Sequence, residues 1–540
     1  MLPVIIVGAG PTGLALALAL AGHGVPSQVL DEGDGQPAVR PARTCVLPWD
    51  IARWARRHGA VREAAGWRVW QTTHRHRTVL REDFDEDTAS LHLPQHALEE
   101  SLRRAVEGQR LIRVTNGCRL VSLEQDRDAV LARTTAGGPD AGAVSGDSVQ
   151  EWRGSHLVGC DGARSTVRKL LRIAFAGRTA VERYAVAALR AALPRPGEAG
   201  LHCGLPGATR SEPGEVTVRP LPRERWRLDW PLAGDGALIT PDTMLERIHT
   251  TLAAWHDGEV PEYELLDTGV HICHQRLARR WRSGRVFLAG DAAHLLGALG
   301  TQQVAEGLRD AENLAWKLAA ACHDGDTTGT GHLLDSYEAE RRAAVGARLR
   351  AVDQALPLVR GRGGLSARLT GGGGRSRLAL LSDSHLGRGT LGAVPEYSRS
   401  PLAPPGSVGT VAGAATGAPV TDVPVIALDG SRGRLHERLG GALLLVLTAP
   451  GARVWDARHW LAAGLMPELA RVASHLPLPA DLLVTEEYPG TSAHTVLVVR
   501  PDGHLAAALP SAAEGPLRAC VDALRGTAPG ATGVRTGPPG

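Results

Sequence analysis

The feature that most constrains this chain is the passage from Val4-Ile5-Ile6-Val7 through Gly8-Ala9-Gly10-Pro11-Thr12-Gly13 into the apolar run of residues 14–20. A β-branched run, a G-x-G-x-x-G turn and an unbroken helical stretch follow one another without a gap, which predicts strand, tight turn and helix of a dinucleotide-binding βαβ unit. Gly8 permits the sharp turn, Gly10 lets backbone approach a pyrophosphate, and Gly13 allows helix and strand to pack closely. Pro11 and Thr12 open the helix, whose free N–H groups and dipole favour an anion. A second strand is expected to end at Leu30. Asp31 then stands where an acid accepts hydrogen bonds from ribose hydroxyls, with Glu32 beside it as the alternative acid of a solvated turn.

The remaining chain narrows the class. At 540 residues it exceeds one ordinary core, so two or three domains are expected. With 60 Lys+Arg against 57 Asp+Glu the charge is balanced, and neither a nucleic acid nor an acidic partner is called for. The 7 cysteines are scattered, odd in number and free of any C-x-x-C pair, which fits a reducing cytoplasm and no disulfide frame or zinc site. The first strand begins almost at Met1, leaving no room for a secretory leader, and no long apolar run predicts a membrane span. Gly- and Arg-rich residues 361–374 and Pro-, Gly- and Ala-rich residues 401–419 read as linkers. Beyond them, residues 442–447 and 495–500 read as buried strands of a separate C-terminal α/β domain.

Two later segments choose between nucleotides. Residues 158–168 (VGCDGARSTVR) resemble the D-G motif of flavoprotein monooxygenases, and residues 284–294 (GRVFLAGDAAH) resemble their G-D motif. Residues 306–318 and 336–342 resemble the helices that follow. In this order the motifs resemble single-component, class A FAD-dependent aromatic hydroxylases, especially bacterial polyketide hydroxylases, over nearly the whole chain. The resemblance implies an α/β fold in which a Rossmann-like FAD-binding domain is interleaved with a mixed-sheet substrate domain and followed by a thioredoxin-like domain. The expected division is 1–178 and 270–350 for the FAD-binding domain, with a small substrate-side insertion near 70–95. Residues 179–269 form the substrate domain, 351–395 a helical linker and 396–540 the thioredoxin-like domain.

The same resemblance implies site residues. Asp291, preceded by Gly290 and expected to lead into a helix, would accept a hydrogen bond from a ribityl hydroxyl, an N-cap being its plainer role. Asp161 would serve both FAD and the nicotinamide cofactor, or simply cap its turn. Arg43 and Gln95 would contact FAD, although both types also suit a solvated surface. Gly300, Thr301 and Gln302 would line the flavin. FAD would be reduced by NADPH or NADH, O2 would add at C4a, and the hydroperoxide oxygen would pass to a small aromatic substrate such as a polycyclic polyketide. No catalytic side chain and no metal are required, so His92, His96, His271 and His274 are read as packing or surface residues. The expected protein is a cytoplasmic monomer or homodimer. Trp226 and Trp230, two apart on one strand, could stack on a polycycle or simply pack.

One departure matters. The family's loop after the G-D motif runs P-P-x-G-G-Q-G-M-N, whereas residues 297–305 are GALGTQQVA. Both prolines and the asparagine are missing, so the loop is expected to be looser, with proline at 297 and 298 expected to tighten it wherever the backbone angles allow. Two other outcomes stay open: Baeyer–Villiger insertion into a polyketide ketone, and a flavin-binding reductase or non-redox partner without productive oxygen transfer. A plain nicotinamide dehydrogenase is disfavoured by the D-G and G-D motifs.

Overall fold

The computed structural model describes residues 1–61, 63–75, 77–86, 88–136, 149–205, 214–232, 239–256, 258–297, 303–324, 330–360, 377–404, 415–450 and 465–527. Strand Val4–Val7 lies in the middle of a six-stranded sheet, between Ser27–Leu30 and His156–Gly159, to both of which it is parallel. Ile112–Thr115 and Val286–Leu288 extend the sheet on either side, also parallel, and the short Arg282–Ser283 closes one edge antiparallel. Val4, Ile5 and Ile6 are fully buried, as a parallel strand covered on both faces requires. Helix Pro11–Gly22 packs against the long helix Gln303–Asp324, which therefore roofs the first turn.

The second sheet has eight strands. Its spine is the antiparallel pair Phe175–Arg190 and Glu264–Ala278, which runs past both ends of the 179–268 stretch predicted for it. Arg225–Pro231, Val216–Leu221 and Glu198–Cys203 follow, and the hairpin Val69–His74 with Arg77–Asp83 joins Glu198–Cys203 in parallel. Trp226 and Trp230 are buried on the face covered by helix Pro241–Trp255. Their indole N–H groups donate to the Ala191 carbonyl and to Thr251 Oγ1, both at 3.1 Å. They are packing residues. Strand alternation sends Arg227 and Asp229 to the opposite face, where Arg227 meets Ala42 and Thr44.

The C-terminal region forms a third, mixed six-stranded sheet in the order Arg432–Arg434, Pro424–Ala427, Ala480–Thr485, Leu443–Thr448, Val496–Val499, Leu505–Leu509. Leu443–Thr448 and Val496–Val499 are the two buried strands predicted there. Among the described residues no helix is long and apolar enough to cross a membrane.

Candidate functional site

The first turn is shaped by what cannot fit. Gly8 has φ +104°, and a Cβ there would lie 2.5 Å from the Cys160 carbonyl oxygen. A Cβ at Gly13 would lie 2.0 Å from the Gly8 oxygen. At Gly10 a Cβ would meet nothing within 4 Å. Gly8 and Gly13 are thus dictated by the protein's own packing, while Gly10 borders open space, as a backbone that must admit a ligand does. Helix Pro11–Gly22 starts with Gly10 as N-cap, no side-chain cap and Pro11 in its first turn, leaving N–H groups free to receive an anion. Asp31 accepts from Ala9 N at 2.6 Å and Gly33 N at 2.9 Å. Its carboxylate therefore sits at the turn, whereas Glu32 is exposed.

The D-G segment meets this turn directly. Asp161 Oδ2 accepts from Thr166 N at 2.7 Å and Val167 N at 3.0 Å, capping helix Thr166–Leu170. Its Oδ1 is buried and has no protein partner. A buried carboxylate oxygen left unbonded is costly, and a polar cofactor atom at this place would satisfy it. Both roles considered for Asp161 are compatible with this geometry.

The G-D turn closes from the other side. Gly290 has φ +60°, and a Cβ there would lie 2.5 Å from Thr12 Oγ1. A Cβ at Gly307 would lie 2.3 Å from the same atom. Thr12 is therefore wedged between two glycines from distant parts of the chain. Asp291 Oδ1 accepts from Gln303 Nε2 at 2.7 Å. Burial raises its carboxyl above the usual range, opposed by Gln303, His294 and Arg43. No helix follows Asp291 directly, and the next helix among the described residues is Gln303–Asp324. In between lie a single 3-10 turn, Gly290–Ala292, and the short strand His294–Leu295, which pairs with Glu264–Ala278. That pairing pulls the chain out of helical geometry. Gly300, Thr301 and Gln302 lie outside the described residues.

Arg43 and Gln95 are brought together: Arg43 Nε donates to Gln95 Oε1 at 2.9 Å, and Gln95 N to the Arg43 carbonyl at 2.9 Å. The peptide before Arg43 is held by the second sheet on both sides, since Ala42 N donates to Asp267 Oδ2 at 3.0 Å and Arg227 donates to the Ala42 carbonyl. Asp229 chelates Arg227 in turn. Burial would raise the Asp229 carboxyl, but Arg227 and Arg219 outweigh it and bring it down to about 2. His92 donates and accepts within the core, between the Pro220 carbonyl and Thr44 Oγ1, both at 2.8 Å, and burial lowers it to about 3. It is a packing histidine. Among the described residues no cluster of three metal-ligating side chains occurs.

The residues missed in the sequence are those that hold the G-D turn. Asp310 Oδ2 accepts from Gly290 N at 2.9 Å and pairs with His294 Nε2 at 2.8 Å, while its Oδ1 accepts from Arg341 Nε at 2.8 Å. Burial would raise Asp310, yet His294 and Arg341 hold it below the usual carboxylate range. Glu306 is likewise surrounded by Arg341, Arg309 and Arg348. Next to Arg341, Glu340 pairs with Lys317 at 2.7 Å and with Arg500 of the C-terminal sheet at 2.7 Å. The five-residue π-helical turn Glu338–Arg342 lets the consecutive Glu340 and Arg341 serve separate partners. The available signal was a cluster of charges within an otherwise Ala- and Leu-rich helix.

This geometry can be set beside known proteins. The sequence model of the family described as FAD binding domain matches residues 1–352. The chain is 34% identical over 362 residues to 6-methylpretetramide 4-monooxygenase of Streptomyces rimosus, covering 64% of this chain and 60% of that protein. It is 30% identical over 365 residues to dialkyldecalin synthase of Streptomyces rugosporus, covering 63% of this chain and 69% of that protein. Several of the curated relatives are matched over 60% of their length. The solved ternary complex of aklavinone-11 hydroxylase with FAD and aklavinone has the same fold, with a TM-score of 0.70 and 24% identity over 97% of this chain and 98% of that one.

Proposed function

Because the chain belongs to the FAD-binding domain family, we propose that it is an FAD-dependent monooxygenase that consumes NADPH or NADH and O2 to hydroxylate a polycyclic aromatic polyketide or a related phenol or quinone. The observation that carries this reading is the convergence of three separated segments on one space: the open Gly10, the unpaired Asp161 Oδ1 and the Gly290–Asp291 turn locked onto Thr12. Gly8, Gly10, Pro11, Thr12 and Gly13 would face the pyrophosphate, Asp31 the ribose, and Asp291 the ribityl chain. Arg43, Gln95 and the main chain of Gly300, Thr301 and Gln302 would border the flavin. Bound FAD, once reduced, supplies the oxygen-activating chemistry. The chain's own groups bind, orient and exclude water, the second sheet holding the substrate over the flavin with Arg227 and Asp229 on its inner face.

In this reading residues 1–178 and 270–350 form the FAD-binding domain and 179–269 the substrate domain. Residues 396–540 are a thioredoxin-like domain without C-x-x-C, hence structural or dimerising rather than redox-active. We place the protein in the cytoplasm as a monomer or homodimer.

A second reading, a flavin-holding protein without oxygen transfer, is favoured by one observation, the likeness to a protein named dialkyldecalin synthase. One experiment separates the two. The purified protein is expected to be yellow, to oxidise NADPH faster when a polycyclic phenol is added, and to place one atom of labelled O2 in the product. Yellow protein that never incorporates label selects the second reading, and colourless protein that cannot be loaded with FAD sinks both.

A further inference from the structure

Outside the cofactor cradle, the C-terminal sheet does not pack flush on the rest of the chain. A cavity of about 390 Å3 lies between helix Trp49–Arg57, helix Gln303–Asp324 and the loops at Leu439 and Asp502. That is far larger than an ordinary packing gap and falls within the range of small-molecule sites. None of the cradle residues lines it. Helix Gln303–Asp324 stands between the two spaces, with Gly307 against Thr12 and Glu312 and Asn313 toward the cavity.

Its chemistry is uneven. The walls are aromatic, with Trp49, Trp54 and Tyr397. Every acid on the lining is already engaged. Arg309 binds Asp50 at 2.8 and 2.9 Å, Trp54 donates to Glu312, and Glu437 accepts from Arg434 N at 2.8 Å. Asp502 is closed in by Arg500, His504 and Asn313. Of the cations, Arg309 is matched by Asp50 and Arg53 lies 3.6 Å from Asp422, whereas the other two are less engaged. Arg56 is exposed and pairs with no carboxylate among the described residues, and Arg57 donates to the Leu439 carbonyl with its second edge 3.8 Å from Glu312. An apolar, ring-lined space therefore carries at its wall one guanidinium without a carboxylate, Arg56, beside Arg57, whose ion pair with Glu312 is long, the combination that recognises a flat apolar body with one negative end.

We propose that this cavity is a second ligand site, which binds a planar aromatic compound bearing a single anionic group, its rings in the apolar space between the two helices and its anion on Arg56 and Arg57. The site is independent of whether oxygen is transferred at the flavin.

The test is calorimetric titration of the FAD-loaded full chain with 2-naphthoate and with 2-methoxynaphthalene, which keeps the rings and loses the charge. A naphthoate-binding event is expected that is at least about tenfold tighter than that of the neutral ether. Leu439→Trp, which fills the cavity, should abolish it, and Arg56→Met combined with Arg57→Met should weaken it about tenfold, with flavin absorbance unchanged in each variant. Should Leu439→Trp fail to fold, the exposed Arg56→Met alone still has to weaken naphthoate binding. Naphthoate binding that is identical in these variants and the unmodified protein, equal affinity for acid and ether, or no binding at millimolar concentration overturns the proposal.

Discussion

The two turns that frame the cradle share a need for glycine but differ in what else holds them. The first, Gly8 to Gly13, is set by the absence of side chains: backbone atoms approach so closely that a methyl group has no room. The second, Gly290–Asp291, is set by charged side chains fully removed from water, with Asp310 holding Gly290 N and being held by Arg341 and His294. The first turn fails when an atom is added; the second, where a Cβ at Gly290 would likewise lie 2.5 Å from Thr12 Oγ1, fails also when an atom is taken away. A glycine turn can be read from local sequence, whereas an ion-braced turn needs partners from two helical segments and a strand.

The largest effect is expected at the second turn. Asp310→Ala leaves Gly290 N and His294 Nε2 buried without their partner and Arg341 held by Glu306 without Asp310, a loss of about 3–5 kcal/mol of stability in denaturant unfolding, accompanied by loss of flavin. Unfolding within error of the unmodified protein would mean that the turn is not braced by ions at all.

Next come two glycines of the first turn that should separate fold from cofactor. Gly13→Ala puts a methyl group 2.0 Å from the Gly8 oxygen and should cost about 1–3 kcal/mol of stability. Gly10→Val points into open space, so its unfolding midpoint should stay within about 0.5 kcal/mol while flavin content collapses. If Gly10→Val keeps its yellow colour, the open space beside Gly10 is not where the cofactor lies.

Asp291→Ala removes an acceptor without touching the brace. FAD affinity should fall by about 1–3 kcal/mol with the fold retained, and unchanged flavin occupancy after purification would withdraw the ribityl assignment.

The smallest effect distinguishes the two aspartates of the second turn by pH. Asp310 is held below its unfolded value of 3.8, so its stabilisation is present above that pH and is lost as pH falls further. Asp291 is raised above 3.8, so the native state keeps its proton longer and loses stability as pH rises through that interval. Urea unfolding between about pH 5 and about pH 3 should therefore fall less steeply in Asp310→Asn, and more steeply in Asp291→Asn, than in the unmodified protein. Parallel slopes for all three would contradict the opposite environments.

What was legible in the sequence follows the same division. Gly8, Gly10 and Gly13 stand out in the sequence because their spacing between a strand and a helix is a local pattern. Trp226 and Trp230 were visible as a pair, but the opposite face of that strand carries Arg227 and Asp229, and the partners of Arg227, Ala42 and Thr44, lie about 180 residues away. Charges in such places look solvated, since a hydropathy pattern carries no sign of who answers them. The loop after the G-D motif also reads differently in three dimensions. Gly297 has φ +69°, which proline cannot adopt, and a Cβ there would lie 2.6 Å from Gln275 Cγ. A family-like proline at this position would strain the loop rather than tighten it. At 298 and in the rest of the segment to 302 the chain lies outside the described residues.

The wedging of Thr12 between Gly290 and Gly307 has a consequence in time. Its two walls are translated some 280 residues after it, and the arginine that secures them, Arg341, later still. Contacts of such long range form slowly and only after their intervening chain is ordered. A nascent chain that has completed only its glycine turn therefore offers half a cradle, and flavin capture waits for the ion-braced turn to arrive and close it.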